Sequence, residues 1–287
     1  MHFTSTLLAA VVLPSLAAAW APPEYPGFRL VSSDAFEGFA GSPVDASKWE
    51  YVTEIQVNNE LQKYTTDGRN VQLSGGGTLQ LVPWKDANGQ WTSGRVEAKS
   101  GFSFTPADGA VTISESMLRF GGNDQANKQG IWPAFWLLGE SIRNGVNWPE
   151  CGEIDILEAI NGAPQGHGTI HCDKFGGGAC NTPTGISAAT ALPDQTAWQK
   201  WRVQFDRTNP DWRQQSITWS LDEKTFHQVT GERIGDQKTW ANLAQSGMYF
   251  ILNVAVGGTL PGNPNDATLG GYGSMMEVAY VAVYSSK

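Results

Sequence analysis

The sequence predicts an all-β protein, a sandwich of two packed antiparallel sheets. Three observations carry this. Short runs rich in Val, Ile, Thr and aromatic residues follow one another, with Gly, Pro, Asn and Asp clusters between them. Helical periodicity is nearly absent. No linker, internal repeat or low-complexity tract divides the chain after its first residues.

In chain order, residues 1–19 read as a secretory signal. Phe3 to Ala18 is mostly small and apolar, and Ala17-Ala-Ala19 offers an A-x-A cleavage site. At about sixteen residues that stretch is short for a membrane span. An exported protein with one domain over 20–287 is therefore expected, extracellular or in a cell wall. Strands are expected over 28–36, 49–57, 61–65, 70–73, 78–83, 94–104, 111–120, 131–138, 153–160, 167–173, 198–206, 215–221, 225–229, 248–256 and 275–284. Turns fall at Gly75-Gly-Gly77, Asp86-Ala-Asn-Gly89, Asn209-Pro-Asp211 and Gly257 to Gly273, and one short helix at 239–245. About fifteen short strands in one domain pack as a sandwich.

Composition narrows the partners. The 287 residues carry 28 Asp and Glu against 19 Lys and Arg, a net charge of −9. Such a surface disfavours nucleic acid and anionic polymers, and a neutral polymer remains admissible. A monomer with no nucleic-acid or membrane partner is expected. Charged residues make up only 16%, while Trp reaches 12. Cys172 and Cys180 flank the Gly-rich turn Asp173-Lys-Phe-Gly-Gly-Gly-Ala and can close a short disulfide loop in an oxidising compartment. Cys151 is then a buried free thiol, although its pairing with either partner stays open.

The chemistry concentrates in Trp148-Pro-Glu-Cys-Gly-Glu-Ile-Asp-Ile-Leu-Glu-Ala-Ile-Asn161. On a strand, i and i+2 share a face, so Glu153 and Asp155 point together and Ile154 and Ile156 face the core. Glu158 lies at an odd offset from Glu153. A β-bulge near Leu157 corrects the parity and sets all three acids on one surface. Four effective steps of about 3.3 Å separate the two Glu Cα atoms by about 13 Å. Inward reach then brings their carboxyls toward the roughly 5 Å gap of a retaining glycosidase. Asp155, between them, makes the three a coupled set. An acidic, solvent-facing strand is the bland alternative, and flanking Ile, Leu and Trp-Pro oppose it.

Glu153-Ile-Asp-Ile-Leu-Glu158 resembles the catalytic signature of glycoside hydrolase family 16, in its bulged, laminarinase-like form. The resemblance extends to Asn58-Asn-Glu-Leu-Gln-Lys-Tyr64, Thr92-Ser-Gly-Arg95 and Gly130-Ile-Trp-Pro-Ala-Phe-Trp136. It continues through His167-Gly-Thr-Ile-His171 and Tyr249-Phe-Ile-Leu-Asn-Val-Ala-Val-Gly-Gly258, in the family's order. It implies a β-jelly roll, concanavalin A-like, with an open cleft on its concave sheet. It also implies that Glu153 is the nucleophile, Glu158 the general acid/base, and Asp155 the residue that orients and tunes Glu153. The residues alone would permit the reverse order.

Aromatic faces stack on pyranose rings. Trp132 and Trp136, four apart in an extended segment, share a face, which the resemblance places in the cleft; Trp148 is a further candidate. Trp49, Trp84, Trp198, Trp201 and Trp219 are assigned to core or surface. Asn59 and Arg95 resemble residues that bind sugar hydroxyls on the non-reducing side of the cut. Asn253 interrupts an apolar run and either faces the cleft or caps a buried network. By the same resemblance His171 sits near the acid/base, on the leaving-group side, while His167 satisfies a structural hydrogen bond. His167, His171, Cys172 and Asp173 raise a zinc reading, but the spacing matches no common zinc signature. No metal or cofactor is expected. Relatives often hold a structural calcium through an Asp in the last strand, where this chain has Ala279, with Ala282 three residues on; Glu37 and nearby carbonyls would have to suffice. Leu260 stands where relatives often carry a cleft Trp.

The sequence thus indicates a retaining endo-β-glycanase acting on β-1,3- or mixed β-1,3/1,4-glucan. An endo-β-1,3-galactanase or a transglycosylase would use the same chemistry. From other classes, a glucan-binding lectin would have no need of three aligned acids, and a cell-wall structural protein would carry Ser/Thr-rich or anchoring segments, which are not visible.

Overall fold

The computed structural model describes residues 20–287, and the leader assigned to 1–19 lies outside them. The strands, in chain order, begin with β1 (Phe28–Asp34), β2 (Trp49–Tyr51), β3 (Gln62–Tyr64), β4 (Val71–Leu73), β5 (Leu79–Leu81) and β6 (Trp84–Lys85). Next come β7 (Trp91–Ser93), β8 (Arg95–Ala98), β9 (Val111–Phe120), β10 (Ile131–Gly139), β11 (Glu153–Ala159) and β12 (Gln165–His171). Last are β13 (Ile186–Ala191), β14 (Gln199–Asp206), β15 (Ser216–Leu221), β16 (Lys224–Thr230), β17 (Met248–Val256) and β18 (Met276–Ser286).

Two large sheets form a β-jelly-roll sandwich. One has the order β16-β15-β14-β9-β18-β5-β4, with β1 paired to β18. The other, β13-β12-β11-β10-β17-β8-β2, bears the cleft. A small sheet, β3-β7-β6, stands beside them; β3 falls within the strand expected over 61–65, while β6 and β7, of two and three residues, were not anticipated. Ile186-Ser-Ala-Ala-Thr-Ala191 was also missed, since small residues replace the usual β-branched signal. The run expected over 49–57 leaves the sheet after Tyr51 and forms the cleft rim. The run over 94–104 stops at Ala98, where a 3₁₀ turn (Ser100–Phe102) begins. The expected helix spans Gln237–Ala244, preceded by a single turn at Gly231–Ile234.

Alternation along the strands builds the core. Phe135, Leu137, Ile154, Ile156 and Phe250 of the cleft sheet face inward, and Trp201, Val203, Phe205 and Trp219 of the other sheet are likewise buried. Two glycines set the distance between the sheets. A Cβ at Gly166 would strike the Trp201 indole, and one at Gly168 would come within 2.5 Å of Trp219 Cδ1. With those positions empty the indoles lie flush under β12, and Trp219 Nε1 donates to the Asp155 carbonyl at 2.7 Å. The strand carrying the acids is thereby fixed from beneath. Cys172 and Cys180 form a disulfide, which removes Cys172 from any zinc set, and Cys151 is a buried free thiol.

Gly168→Ala is expected to cost about 1–3 kcal/mol by overpacking against Trp219. Thermal unfolding beside the wild type checks this, and an unchanged midpoint would mean that Trp219 gives way freely.

Candidate active site

β11 carries the three acids, and its pairing supplies the parity correction. On the β10 side Trp136 faces Asp155 and Phe135 faces Leu157, so Ile156 is the extra residue. On the β12 side the register breaks between Asp155 and Glu158. Ile154, Ile156 and Leu157 are all fully buried, while Glu153, Asp155 and Glu158 line one open cavity of about 280 Å³. Outward residues of β10 stand beside them: Ala134 pairs with Glu158, Trp136 with Asp155, and Leu138 with Glu153.

Indoles, rather than cations, hold the two glutamates. Trp148 Nε1 donates to Glu153 Oε2 at 3.0 Å, and Trp132 Nε1 donates to Glu158 Oε1 at 3.0 Å. Trp136 Nε1 donates to Asn253 Oδ1 at 2.8 Å, and Asn253 Nδ2 donates to the Tyr64 hydroxyl at 3.2 Å. Asn253 therefore both lines the cleft and joins a buried network. The Tyr64 hydroxyl in turn donates a hydrogen bond to Glu60 Oε2 at 3.4 Å. Arg95 is buried, bonds Glu97 Oε1 through Nε at 2.8 Å, and lies 5.1 Å from the Trp136 ring centroid.

Two placements differ from expectation. Asn59 is exposed and gives its amide to Thr259 Oγ1 at 3.2 Å, while Asn58 and Glu60 line the cavity. Both Asn58 and Asn59 have left-handed backbones, φ 55° and 58°, so alternation cannot be counted across them. His171 pairs across the ladder with Glu153, and His167 with Glu158, which reverses the expected proximity to the acid/base. His171 Nε2 lies 3.5 Å from Asp155 Oδ2 and 3.8 Å from Glu153 Oε1. Glu60, Tyr64, Ile55 and Val57 were not singled out. Glu60, Gln62 and Tyr64 do alternate along their segment, which is the signal that could have found Glu60. Leu260 is exposed and stands outside the cavity lining.

Burial dominates the electrostatics. It pushes Glu153 up to about 8, with the Glu158 charge adding to the rise and the Trp148 N–H and Arg95 opposing it. Glu158 is pushed up to about 7, again by burial, against hydrogen bonds from Trp132 and Thr169. Asp155 rises well above the carboxylate range through burial and both neighbours. His171 is pushed down to about 4 by burial and is therefore neutral at pH 7. Near neutrality the set keeps protons, so one member can donate while another attacks. Glu153, Asp155 and His171 also bring donor atoms within 4.8 Å of one another, a spacing a divalent cation could bridge.

Three acids lining the cleft of a jelly-roll sandwich, Asp155 buried between two partly exposed glutamates, fit a glycoside hydrolase, and comparison with known proteins agrees. Residues 123–211 match the family model described as XgeA-like, catalytic GH16 domain. The structure superposes on the endo-1,3-β-glucanase of Streptomyces sioyaensis with a TM-score of 0.87 and 35% identity, covering 93% of this chain and 99% of that one. The β-glucanase of Rhodothermus marinus is 28% identical over 99% of this chain and 94% of its own length. Glucan endo-1,3-β-glucosidase A1 of Niallia circulans is 28% identical over 92% of this chain, which spans only 39% of that protein. The chain belongs to glycoside hydrolase family 16.

The raised acids have a consequence for stability. Between their ordinary value of 4.5 and their folded values of about 7 and 8, the folded state holds protons that the unfolded chain has released. Stability therefore falls as pH rises through that window. Glu153→Gln, which cannot ionise, is expected to unfold at a higher temperature than wild type at pH 8 and to lose most of that margin at pH 4.5. A margin independent of pH would show that the carboxyl is not held protonated.

Proposed function

We propose that the protein is a secreted, retaining endo-β-1,3-glucanase, with one catalytic domain over 20–287 acting as a monomer. The observation that carries this is the bulged β11, with its three carboxyls on one cleft face. The printed activities of the Streptomyces and Rhodothermus relatives point to β-glucan, and the three indoles of the lining suit the faces of its sugar rings.

Glu153 attacks the anomeric carbon as Glu158 protonates the departing glycosidic oxygen, giving a glycosyl ester on Glu153. Glu158, now ionised, takes a proton from water; the resulting hydroxide attacks the same carbon and frees the Glu153 carboxylate. The order of roles follows the family motif: burial raises Glu153 to about 8, above Glu158 at about 7, and the field of Arg95 only partly offsets that rise. Asp155, kept protonated, steadies Glu153 from two residues away. Asn58, Arg95, Trp136 and Asn253 hold the non-reducing portion, with Trp132 and Trp148 flanking the cut. Mixed β-1,3/1,4-glucan is the nearest further substrate.

Glu153→Ala is expected to abolish turnover, and azide or formate to restore part of the rate by standing in for the carboxylate. Reducing-end release from laminarin, barley β-glucan, lichenan and β-1,3-galactan names the substrate. Release from galactan alone would keep the mechanism and overturn the glucan. Silence with retained binding would leave a lectin. The profile of kcat/KM against pH should be bell-shaped, with both limbs above the ordinary carboxylate range; an acidic limb near 4.5 would contradict the raised set.

A further inference from the structure

One exposed aromatic side chain near the cleft has no part in the arrangement so far. Phe175 is 67% exposed at the tip of the loop closed by the Cys172–Cys180 disulfide. The loop is well defined. Gly176 N and Gly177 N both donate to the Thr182 carbonyl at 2.9 Å, and Ala179 N donates to Asp173 Oδ2 at 3.0 Å. Asp173, Gly176 and Gly178 sit in the left-handed region, with φ of 65°, 81° and 72°. The chain thus reverses sharply and holds Phe175 outward rather than letting it fold onto the core.

Its neighbours give the ring a direction. Phe175 lies 6.1 Å from Trp148 between ring centroids, and Trp148 lies 5.9 Å from His171. Trp148 itself lines the cavity and donates to Glu153. A line of rings therefore runs outward from the acids. In the sheet order, Asn253 on β17 and Arg95 on β8 lie on one side of β11, and β12, which leads directly into this loop, lies on the other. A glycan that crosses the sheet over β8 and β17 extends past the cut toward β12 and the Phe175 loop.

We propose that Phe175, with Trp148, forms an aromatic platform for a pyranose ring on the side of the cut opposite Arg95. Its ligand is the leaving-group portion of a neutral β-glycan, or an acceptor glycan arriving after that portion departs. The inference rests on the hydrolase reading above and adds the specificity element of its second half. Stacking suits the ligand, because a ring face covers the axial C–H surface of a sugar and leaves its hydroxyls in water. With an acceptor on the platform, its hydroxyl attacks the anomeric carbon of the glycosyl ester, Glu158 takes the proton, and the Glu153 carboxylate leaves.

The test compares two substrates on the full, oxidised protein. One is a long β-1,3-gluco-oligosaccharide that reaches past the cut. The other is an aryl β-1,3-glucobioside, whose phenol leaving group offers no second sugar. In Phe175→Ala, the ratio of kcat/KM for the oligosaccharide to that for the aryl substrate should fall about five-fold, the size of one aromatic stack. Phe175→Trp should restore it, and Cys172→Ser with Cys180→Ser should lower it by releasing the loop. Products longer than the substrate should also decline in Phe175→Ala. An unchanged ratio, or equal losses on both substrates, overturns the platform. If wild type cleaves neither substrate, the hydrolase reading fails separately, and retardation in a laminarin gel decides the platform. Loss of retardation in Phe175→Ala then supports it, and equal retardation overturns it.

Discussion

The site depends on a conflict of parity in β11. Two acids at an even offset and a third at an odd one cannot share a face of a regular strand, and the odd one would fall into the core. Both neighbouring strands shift register at Ile156 and Leu157, and the extra residue turns the odd offset into an even one. Such a bulge leaves backbone groups without ladder partners and needs support from elsewhere. Trp219 provides it by donating to the Asp155 carbonyl from the opposite sheet. That contact is possible only because β12 places Gly166 and Gly168 above the two buried indoles. Strand chemistry, bulge and inter-sheet spacing are one connected requirement.

The means of holding the acids matters as much as their position. Three crowded carboxyls, one buried and two partly shielded from solvent, cost most when ionised and unpaired. A lysine or arginine bonded to each would remove that cost, but it would also lock each one ionised and leave no proton for the departing oxygen. Indole N–H groups bond a carboxylate without bringing a full charge. Trp132 and Trp148 therefore orient Glu158 and Glu153 while leaving their protonation adjustable. Arg95, the charged group nearby, is restrained by Glu97 and acts through its field.

Much of this was legible in the chain. Alternation of Ile with Glu and Asp disclosed the face of β11, and the parity clash disclosed the bulge before any coordinates. Trp132 and Trp136 could be assigned to one face because four residues of extended chain leave no choice. The misplaced readings share a cause: they cross a position where local rules stop. Asn58 and Asn59 are both left-handed, so the side of the strand changes between Asn59 and Glu60. His171 meets Glu153 and not Glu158 because the register between β11 and β12 is set by their connection, which the sequence of neither strand contains. Residues 52–57 read as strand by composition, yet they run as coil along the cleft rim and, with Asn58 after them, supply Ile55, Val57 and Asn58 to its wall.

The double use of the tryptophans ties binding to chemistry. Trp132 and Trp148 each present a face to the cleft and an N–H to a glutamate. A sugar stacked on such a face restricts the plane of the ring, and the plane of the ring fixes the direction of its N–H. On the proposed reading, a sugar bound beside the cut would thereby narrow the positions open to Glu153 and Glu158, before any bond is broken. Binding energy from a non-reacting sugar is then expressed as alignment of the reacting carboxyls, the form in which it lowers a barrier rather than only tightening a complex. On that reading one indole serves both purposes, so sugar contact and acid placement are set by the same side chain.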